Sequence, residues 1–328
     1  MNFSTVPKIE LHLHLDCSLS FKVVKKLRPD ITKAEYREFF IAPAKCRDLA
    51  DYIKRSQPAI ELMQTKKALK LVTKDLFEQL QADNVLYAEL RYAPLEHTQK
   101  GLTAEEVVQV VNDTVEDQIK ETGIEAGIIL CTLRHYSKEQ SMETVKLVEE
   151  FSGSRIVGFD IAADEAGYPV DNHVAAFEYA NEKDINCTAH AGEACGPESV
   201  WETLKKFGPS RIGHGVRSYD DPELVEYLQE HNIHLEVCPT SNVQTDVFET
   251  ISDHSIDSLF DSGISLSINT DTRTISNVTL EEEYETVTSV FDWGKQKLLQ
   301  SNLDAIEHAF TDDMTKDKLR NKITEAYQ

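Results

Sequence analysis

Two histidines, His12 and His14, lie two residues apart near the start of the chain, in an otherwise leucine-rich segment. On a β-strand, side chains two residues apart point to the same face, so the two imidazoles lie together and the leucines point the other way. Such a pair can bind one metal ion of the zinc type. It can equally be two hydrogen-bonded histidines on a half-buried strand, because a short motif is weakly specific.

Four later segments place polar side chains directly after short apolar runs. Taken singly, a histidine at such a place is more often a hydrogen-bonded core residue than a ligand, and an aspartate is usually a cap or a turn residue. Together with the first pair they supply imidazoles and carboxylates suited to metal binding and to acid–base catalysis. The residues concerned are His190, Glu193, His214, Glu236, Asp271 and Thr272.

Eight short apolar runs alternate with segments of helical periodicity. Nearly continuous apolar strands separated by helices are typical of a parallel sheet built from βα units. Eight of them predict an α/β fold of the (β/α)8 TIM barrel type, in which active-site residues follow the carboxyl ends of the strands. An open doubly wound sheet ranks second, because the glycine-rich turn after the first strand is absent. The predicted strands are 8–16, 85–92, 126–133, 156–162, 185–191, 212–213, 233–238 and 264–269.

We expect a single domain over residues 1–328, because no low-complexity linker or repeat of solenoid period interrupts the chain. The segment 18–83 is longer than a simple crossover and carries amphipathic helical patterns. It is predicted to be a helical insertion that acts as a lid or wall over the site. Residues 280–328 are predicted to be helices on the outside of the barrel.

The 328 residues carry a formal net charge of −23. This acidity argues against nucleic acid and anionic membranes as partners and favours a neutral or cationic small molecule, while also serving solubility. The sequence has neither a signal-peptide pattern nor an apolar run of transmembrane length. Six scattered cysteines without a CxxC pair are typical of free thiols in a reducing cytosol, so a cytoplasmic location is expected.

In this order, the motifs HLHLD, HAGE, RIGHG, EVCPTSN and NTD resemble the adenosine deaminase family of the metal-dependent amidohydrolases. Further agreement lies at 87–94, 130–135 and 158–165. The resemblance implies a (β/α)8 barrel, one zinc ion per chain (or another divalent metal), and hydrolytic deamination of a purine nucleoside. The metal ligands that it implies are His12, His14, His190 and Asp271.

The same resemblance implies the catalytic residues. His214 is expected to orient and stabilise the attacking hydroxide, with Asp271 able to accept a proton. Glu193 is expected to protonate purine N1 while C6 is attacked, a task that suits a buried, partly protonated carboxyl. The alternative for Glu193 is a helix N-terminal acid. Glu236 is expected to hold His214 or a ligand imidazole from behind.

The substrate contacts implied by the resemblance surround these groups. Asp16 is expected to bind the ribose 5′-hydroxyl. The backbone N–H at Ala163 is expected to bind purine N3, and the Thr272 hydroxyl is expected to bind purine N7. His14 is expected to face the substrate as well as the metal. Helical spacing in the insertion predicts either an apolar wall over the sugar or ordinary helix core for Leu49, Tyr52 and Ile53.

The sequence departs from the family pattern in three places. Cys17 and Ser18 follow HLHLD where many relatives carry glycine, Ala163 replaces a common glycine, and Thr272 replaces a common second acid. The Cys17 thiol is expected to pack sideways rather than to compete for the metal, because its strand parity opposes that of the histidines. These residues are expected to lie around the substrate rather than around the metal, so they bear on the identity of the substrate.

The leading hypothesis is therefore deamination of adenosine and 2′-deoxyadenosine, and the alternative is deamination of adenine base or a modified adenine nucleoside. A two-metal amidohydrolase would need a bridging lysine on the fourth strand, and 156–162 contains none. A catalytically silent barrel is disfavoured, because every candidate metal-binding and catalytic residue is present. The oligomeric state is left open.

Overall fold

The computed structural model describes residues 3–327, and eight parallel strands form its centre. Consecutive strands pair within two four-stranded sheets. Both seams are bridged, since Phe159 pairs with Cys187 and the His14 N–H donates to the Asp271 carbonyl oxygen at 2.7 Å. The ring of strands closes, and the predicted (β/α)8 barrel is confirmed. The strands are β1 (Lys8–His14), β2 (Val85–Tyr92), β3 (Glu125–Leu133), β4 (Ile156–Ala162), β5 (Thr188–Ala191), β6 (Arg211–His214), β7 (His234–Val237) and β8 (Leu266–Ile268).

Helices alternate with these strands and cover the outside of the barrel. The α-helices are α1 (Phe21–Leu27), α2 (Lys33–Phe40), α3 (Leu49–Ile53), α4 (Gln57–Leu62), α5 (Lys66–Ala82), α6 (Ala104–Thr122), α7 (Lys138–Glu150), α8 (Val174–Glu182), α9 (Pro197–Phe207), α10 (Pro222–Glu230), α11 (Pro239–Gln244), α12 (Ile256–Asp261), α13 (Leu280–Phe291), α14 (Lys295–His308) and α15 (Asp313–Ala326). Short 3-10 helices occupy Leu15–Cys17, Lys54–Ser56, Pro94–His97, Asp171–His173, Val216–Asp220 and Ile251–Asp253.

Helix α6 shows how the local sequence sets an element's ends. The Thr103 hydroxyl accepts from the Glu106 N–H at 3.2 Å, and the Glu106 carboxylate accepts from the Thr103 N–H at 3.1 Å, which forms a capping box. The helix ends at Gly123, whose φ of +76° costs glycine little. Its buried face is a stripe of valines at helical spacing: Val107, Val108, Val111 and Val115.

Several predicted strands are longer than the observed ones. Strand β1 ends at His14 rather than at residue 16, because Leu15–Cys17 form a 3-10 helix. Strand β5 begins at Thr188 rather than at residue 185, and β8 covers only Leu266–Ile268. Apolar residues continue into the adjoining turns, so a strand end cannot be located by hydrophobicity alone. Strand β6 is longer than predicted, because the polar residues Arg211 and His214 belong to it.

The segment 18–83 folds as helices α1 to α5, and part of it contacts the barrel loops. Leu49 and Tyr52 of α3 are buried and form an apolar cluster with Cys17 and Ile275, which follow β1 and β8. The C-terminal helices lie outside the barrel, where Asn302 Oδ1 of α14 accepts from the Ile9 N–H of β1 at 2.9 Å. Residues 1, 2 and 328 of the expected single domain lie outside the described part of the chain.

All six cysteines are free thiols, and five of them are buried. Among residues 3–327, every helix is either too short or too polar to cross a membrane.

Candidate active site

The predicted metal ligands meet at the carboxyl end of the barrel. Ligand atoms of His12, His190, His214 and Asp271 all lie within 4.8 Å of one another, and all four side chains are buried. His14 joins them, because its Nε2 lies 3.3 Å from His190 Nε2 and 3.4 Å from Asp271 Oδ1. Residues separated by up to 259 positions are therefore gathered into one polar cluster, as expected when parallel strands end at the same edge.

Two buried carboxylates orient two of the imidazoles. His12 Nδ1 lies 2.8 Å from Glu236 Oε2, and His190 Nδ1 lies 3.0 Å from Asp160 Oδ2. An ionised carboxylate only accepts, so each imidazole donates its Nδ1–H and leaves a lone pair on Nε2. Glu236 thus holds a predicted ligand imidazole, and not His214. Asp160 was not predicted in this role.

Both carboxylates are held ionised by buried arginines. Burial by itself would raise the pKa of Glu236, but Arg91 and Arg211 hold that pKa well below its ordinary value. The Arg91 guanidinium lies between Glu236 and Asp160, at 2.7 and 2.9 Å, and Arg211 Nε lies 2.8 Å from Glu236. Burial likewise opposes ionisation of Asp160, whereas His190 and Arg91 lower its pKa. The barrel interior therefore fixes both imidazole-holding groups as acceptors.

The converging atoms fit a divalent metal ion. His12 Nε2 is buried with no hydrogen-bond partner among the described residues, and it faces Asp271 Oδ1 at 3.4 Å. A lone pair that faces a carboxylate oxygen in a dry interior is unfavourable unless a cation lies between them. Three imidazoles and one carboxylate are a typical donor set for zinc, and histidine also suits its neighbouring metals.

Asp271 presents only one of its oxygens to this cluster. Its Oδ2 accepts from the Ser241 hydroxyl at 2.7 Å, so Oδ1 is the atom that faces His12 and His14. The backbone of Asp271 has a φ of +62°, and that of His214 also has +62°. Non-glycine residues rarely adopt this conformation, which is concentrated at functional sites. Ser241 is a further site residue that was not predicted.

Glu193 lies beside the cluster in a loop held by another carboxylate. Its Oε1 is 3.5 Å from His214 Nε2. Burial raises the pKa of Glu193 well above its ordinary value, and the Asp271 and Glu165 carboxylates raise it further. Glu165 accepts from the backbone N–H groups of residues 192–195 at 2.5–3.0 Å. Glu193 precedes α9, whose N-cap is Gly196, so the alternative of a helix N-terminal acid is not favoured.

A cavity of about 620 Å³ opens onto these groups. Its size is in the range of small-molecule sites. The cavity is lined by every predicted substrate contact, namely His14, Asp16, Leu49, Tyr52, Ile53, Ala163 and Thr272, together with the cluster residues His190, Glu193 and Asp271. Asp16, one of these lining residues, is buried, with Oδ2 3.7 Å from His97 Nε2. Burial opposes ionisation of Asp16, but its pKa is lowered because of His97.

Cys17 was expected to pack sideways because of strand parity. That reason is wrong, and sideways packing describes only part of its surroundings. Strand parity does not apply, because Cys17 lies in a 3-10 helix after β1. Its side chain lines the cavity and also packs with Leu49 and Tyr52. Burial raises the pKa of the thiol well above its ordinary value, which disfavours the thiolate form that a metal would bind.

The two other departures also have structural explanations. Ala163 has a φ of +80°, in the left-handed region where glycine is favoured, which accounts for the common glycine at this position. The Thr272 hydroxyl hydrogen-bonds the Tyr52 hydroxyl, which also lies 2.5 Å from Ser276 Oγ. Tyr52 thus connects helix α3 of the insertion to the loop that follows β8.

The chain is similar in sequence to known proteins. A family profile described as Adenosine deaminase matches residues 7–326. The chain is 32% identical to an adenosine deaminase of Clostridium acetobutylicum, covering 97% of each sequence, and 34% identical to one of Enterococcus faecalis, covering 98% of this chain and 97% of that one.

Solved structures share the fold. An adenine deaminase from Arthrobacter aurescens superposes with a TM-score of 0.90 at 24% identity, over 98% of this chain and 99% of that one. The N6-methyl-AMP deaminase from Arabidopsis thaliana superposes with a TM-score of 0.86 at 25% identity, over 99% of this chain and 98% of that one. The similarity therefore extends over the whole barrel and its insertion.

Proposed function

This chain belongs to the adenosine deaminase family, and we propose that it hydrolyses adenosine and 2′-deoxyadenosine to inosine and 2′-deoxyinosine with release of ammonia. The observation that carries the proposal is a buried carboxyl, Glu193, that lies 3.5 Å from His214 beside the metal-binding cluster and lines a cavity large enough for a nucleoside; burial and neighbouring carboxylates raise its pKa. Neither packing nor solubility accounts for this combination, since burying such groups costs stability.

We propose one zinc ion per chain, bound by His12, His14, His190 and Asp271. When bound, such an ion supplies Lewis acidity, which makes water a competent nucleophile at neutral pH. The chain's own contribution is to orient three of these ligands from behind, since Glu236 holds His12, Asp160 holds His190 and Ser241 holds Asp271.

In the proposed reaction, Glu193 donates its proton to purine N1. Protonation draws electrons from the ring, so that C6 accepts the oxygen of a water molecule. Asp271, whose pKa is lowered by the histidines around it despite burial, accepts a proton from that water. Asp271 then passes this proton to the C6 amino group, which leaves as ammonia. The proton of the added hydroxyl returns to Glu193 as the C6 carbonyl forms, and the product keeps the proton on N1. The Nε2 of His214 lies on the Glu193 side of the cluster, where it can hydrogen-bond the oxygen that adds to C6.

The charge of the cavity lining favours a substrate with an uncharged 5′ end. Asp16 is buried and ionised, so it accepts a hydrogen bond from a 5′-hydroxyl but repels a 5′-phosphate. Glu96, which also lines the cavity, adds negative charge. These groups support a nucleoside in preference to a nucleotide.

The test follows the ultraviolet change as purified protein acts on adenosine, 2′-deoxyadenosine, adenine, N6-methyladenosine and AMP. Adenosine and 2′-deoxyadenosine are expected to have the highest kcat/KM. Unchanged adenosine beside rapid turnover of adenine or N6-methyladenosine would replace this proposal with the alternative.

A second comparison tests Asp16 directly. The protein is expected to prefer adenosine over 5′-deoxyadenosine by about 10- to 100-fold, as expected for a hydrogen bond to a charged acceptor. Asp16→Ala is expected to abolish this preference, whereas Cys17→Ser, which keeps a donor beside Asp16 Oδ1, is expected to retain it. Equal use of both substrates by the unaltered protein would show that Asp16 does not bind the 5′-hydroxyl.

A further inference from the structure

A chain of hydrogen bonds runs from a backbone amide to the fourth imidazole of the site. The Ile256 N–H donates to His254 Nδ1 at 3.0 Å. His254 Nε2 lies 3.2 Å from Asn242 Oδ1, and Asn242 Nδ2 lies 3.1 Å from His214 Nδ1. All three side chains are buried, so none of these groups exchanges its partner for bulk water.

The direction of every bond in this chain follows from its first member. A backbone N–H can only donate, so His254 Nδ1 must carry a lone pair and His254 Nε2 must carry the proton. His254 therefore donates to the Asn242 amide oxygen, and the amide nitrogen is left to donate to His214 Nδ1. The opposite orientation of the Asn242 amide would leave His254 with two acceptor nitrogens, which a neutral imidazole cannot provide.

We propose that Asn242 and His254 are positioning residues that hold His214 as the tautomer with its proton on Nε2, so that His214 acts as a hydrogen-bond donor in the site. Its Nε2 is buried, has no hydrogen-bond partner among residues 3–327, and points toward Glu193 Oε1 at 3.5 Å. Burial lowers the pKa of His254 to about 3, in agreement with a neutral ring there.

This assignment separates His214 from the metal ligands. His12 and His190 donate Nδ1–H to carboxylates and so present lone pairs from Nε2. His214 accepts at Nδ1 from an amide and so presents a proton from the same ring atom. Distances place all of these imidazoles in one cluster, but the group behind each ring decides whether it can bind a cation.

The catalytic consequence rests on the proposed deamination, whereas the tautomer itself does not. A donor at Nε2 stabilises negative charge on the oxygen that adds to C6, and it cannot accept a proton from water. The proton must then go to another acceptor, which leaves Asp271 in that role.

The direct test is nitrogen NMR of the zinc-loaded protein labelled with 15N-histidine, with the His214 signals assigned by their loss in His214→Gln. The expected result is a lone-pair shift for Nδ1 and a protonated shift for Nε2. A protonated Nδ1 would overturn the proposal, whether or not the protein deaminates adenosine. If the nitrogen shifts are as expected but the protein does not deaminate adenosine, the proposed function is overturned and the tautomer assignment stands.

Asn242→Asp reverses the polarity at His214, because a carboxylate accepts from Nδ1–H. The His214 proton is expected to move to Nδ1, and kcat to fall on the order of 10³- to 10⁴-fold, the scale seen when a catalytic imidazole takes the wrong tautomer. KM is expected to change less than about threefold and zinc content to stay at one ion per chain, because the four proposed ligands are unaltered. An unchanged kcat, or unmoved nitrogen shifts, would contradict the role of Asn242.

His254→Leu removes the group that orients the Asn242 amide. A mixture of His214 tautomers and a loss of about tenfold in kcat are expected, and His254→Gln, which keeps an N–H donor, is expected to restore part of the loss. Ser255→Ala is the matched control. It removes a buried hydrogen bond to the Val216 carbonyl oxygen but none of the hydrogen bonds that link Ile256, His254, Asn242 and His214. Equal losses in His254→Leu and Ser255→Ala would show a merely structural effect.

Discussion

Replacing Glu236 by glutamine tests whether the carboxylate behind His12 creates a metal ligand. The native carboxylate faces four donors: His12 at 2.8 Å, Arg91 at 2.7 Å, Arg211 at 2.8 Å and the Thr188 hydroxyl at 3.0 Å. A glutamine amide has only one acceptor oxygen, so its NH2 group must face a donor in either orientation. With NH2 toward His12, the imidazole is expected to move its proton to Nε2 and lose its ligand lone pair.

The expected loss in zinc affinity is about 10- to 100-fold, the usual scale for removing the hydrogen-bond partner of a ligand histidine, which corresponds to about 1.4–2.7 kcal/mol. The free energy of unfolding is expected to fall by about 3–5 kcal/mol, because two buried arginines share one less carboxylate. Zinc affinity is measured by competition with a chromophoric chelator, and stability by urea titration. Thr188→Val is the matched control, since it removes only a donor to Glu236 and should change zinc affinity less than threefold. Native zinc affinity in Glu236→Gln would refute the reasoning.

Three further changes test other parts of the site. Glu165→Gln is expected to lower kcat at least tenfold, because the loop that carries Glu193 loses its charged anchor; unchanged kcat with unchanged stability would contradict this. Burial raises the pKa of Glu283 to about 8, so the folded state holds a proton that the unfolded chain releases near pH 4.3. Stability should therefore fall between about pH 4.3 and 8 by up to about 1.4 kcal/mol per pH unit from this group, and urea titrations of Glu283→Gln should show a shallower decline. Ala163→Gly relieves the positive φ and is expected to raise stability by up to about 1 kcal/mol, and a loss in urea titration would count against strain there.

The convergence of His12, His14, His190 and Asp271 could be predicted because parallel strands bring their carboxyl ends to one edge. Each of these residues lies at the end of an apolar run that is visible in the sequence. The local pattern is therefore enough to predict at which end of the barrel the residue lies. The same holds for Glu193, which lies three residues after His190.

The partners behind the imidazoles could not be predicted in the same way. Asp160 and Arg91 lie inside strands, and their pairing depends on the relative register of β2, β3 and β4 in the barrel. A charged residue within an otherwise apolar strand was the available signal, but it does not identify a partner. Asn242 and His254 reach His214 from a helix and a loop, where strand periodicity gives no guidance.

The prediction of where the Cys17 side chain points was wrong for a different reason. Strand alternation was extended past His14, although the chain turns there into a 3-10 helix. One misplaced strand end is enough to change which way every following side chain points.

The measurement that tests the central claim most directly compares the native protein with Glu193→Gln in the ultraviolet assay on adenosine, each with and without a chelator. The native protein is expected to convert adenosine to inosine and to lose that activity when the metal is removed. Glu193→Gln is expected to retain one zinc ion per chain while kcat falls by about 10²- to 10⁴-fold, the usual contribution of a general acid. Native turnover by Glu193→Gln, or turnover that survives complete removal of the metal, would contradict the account.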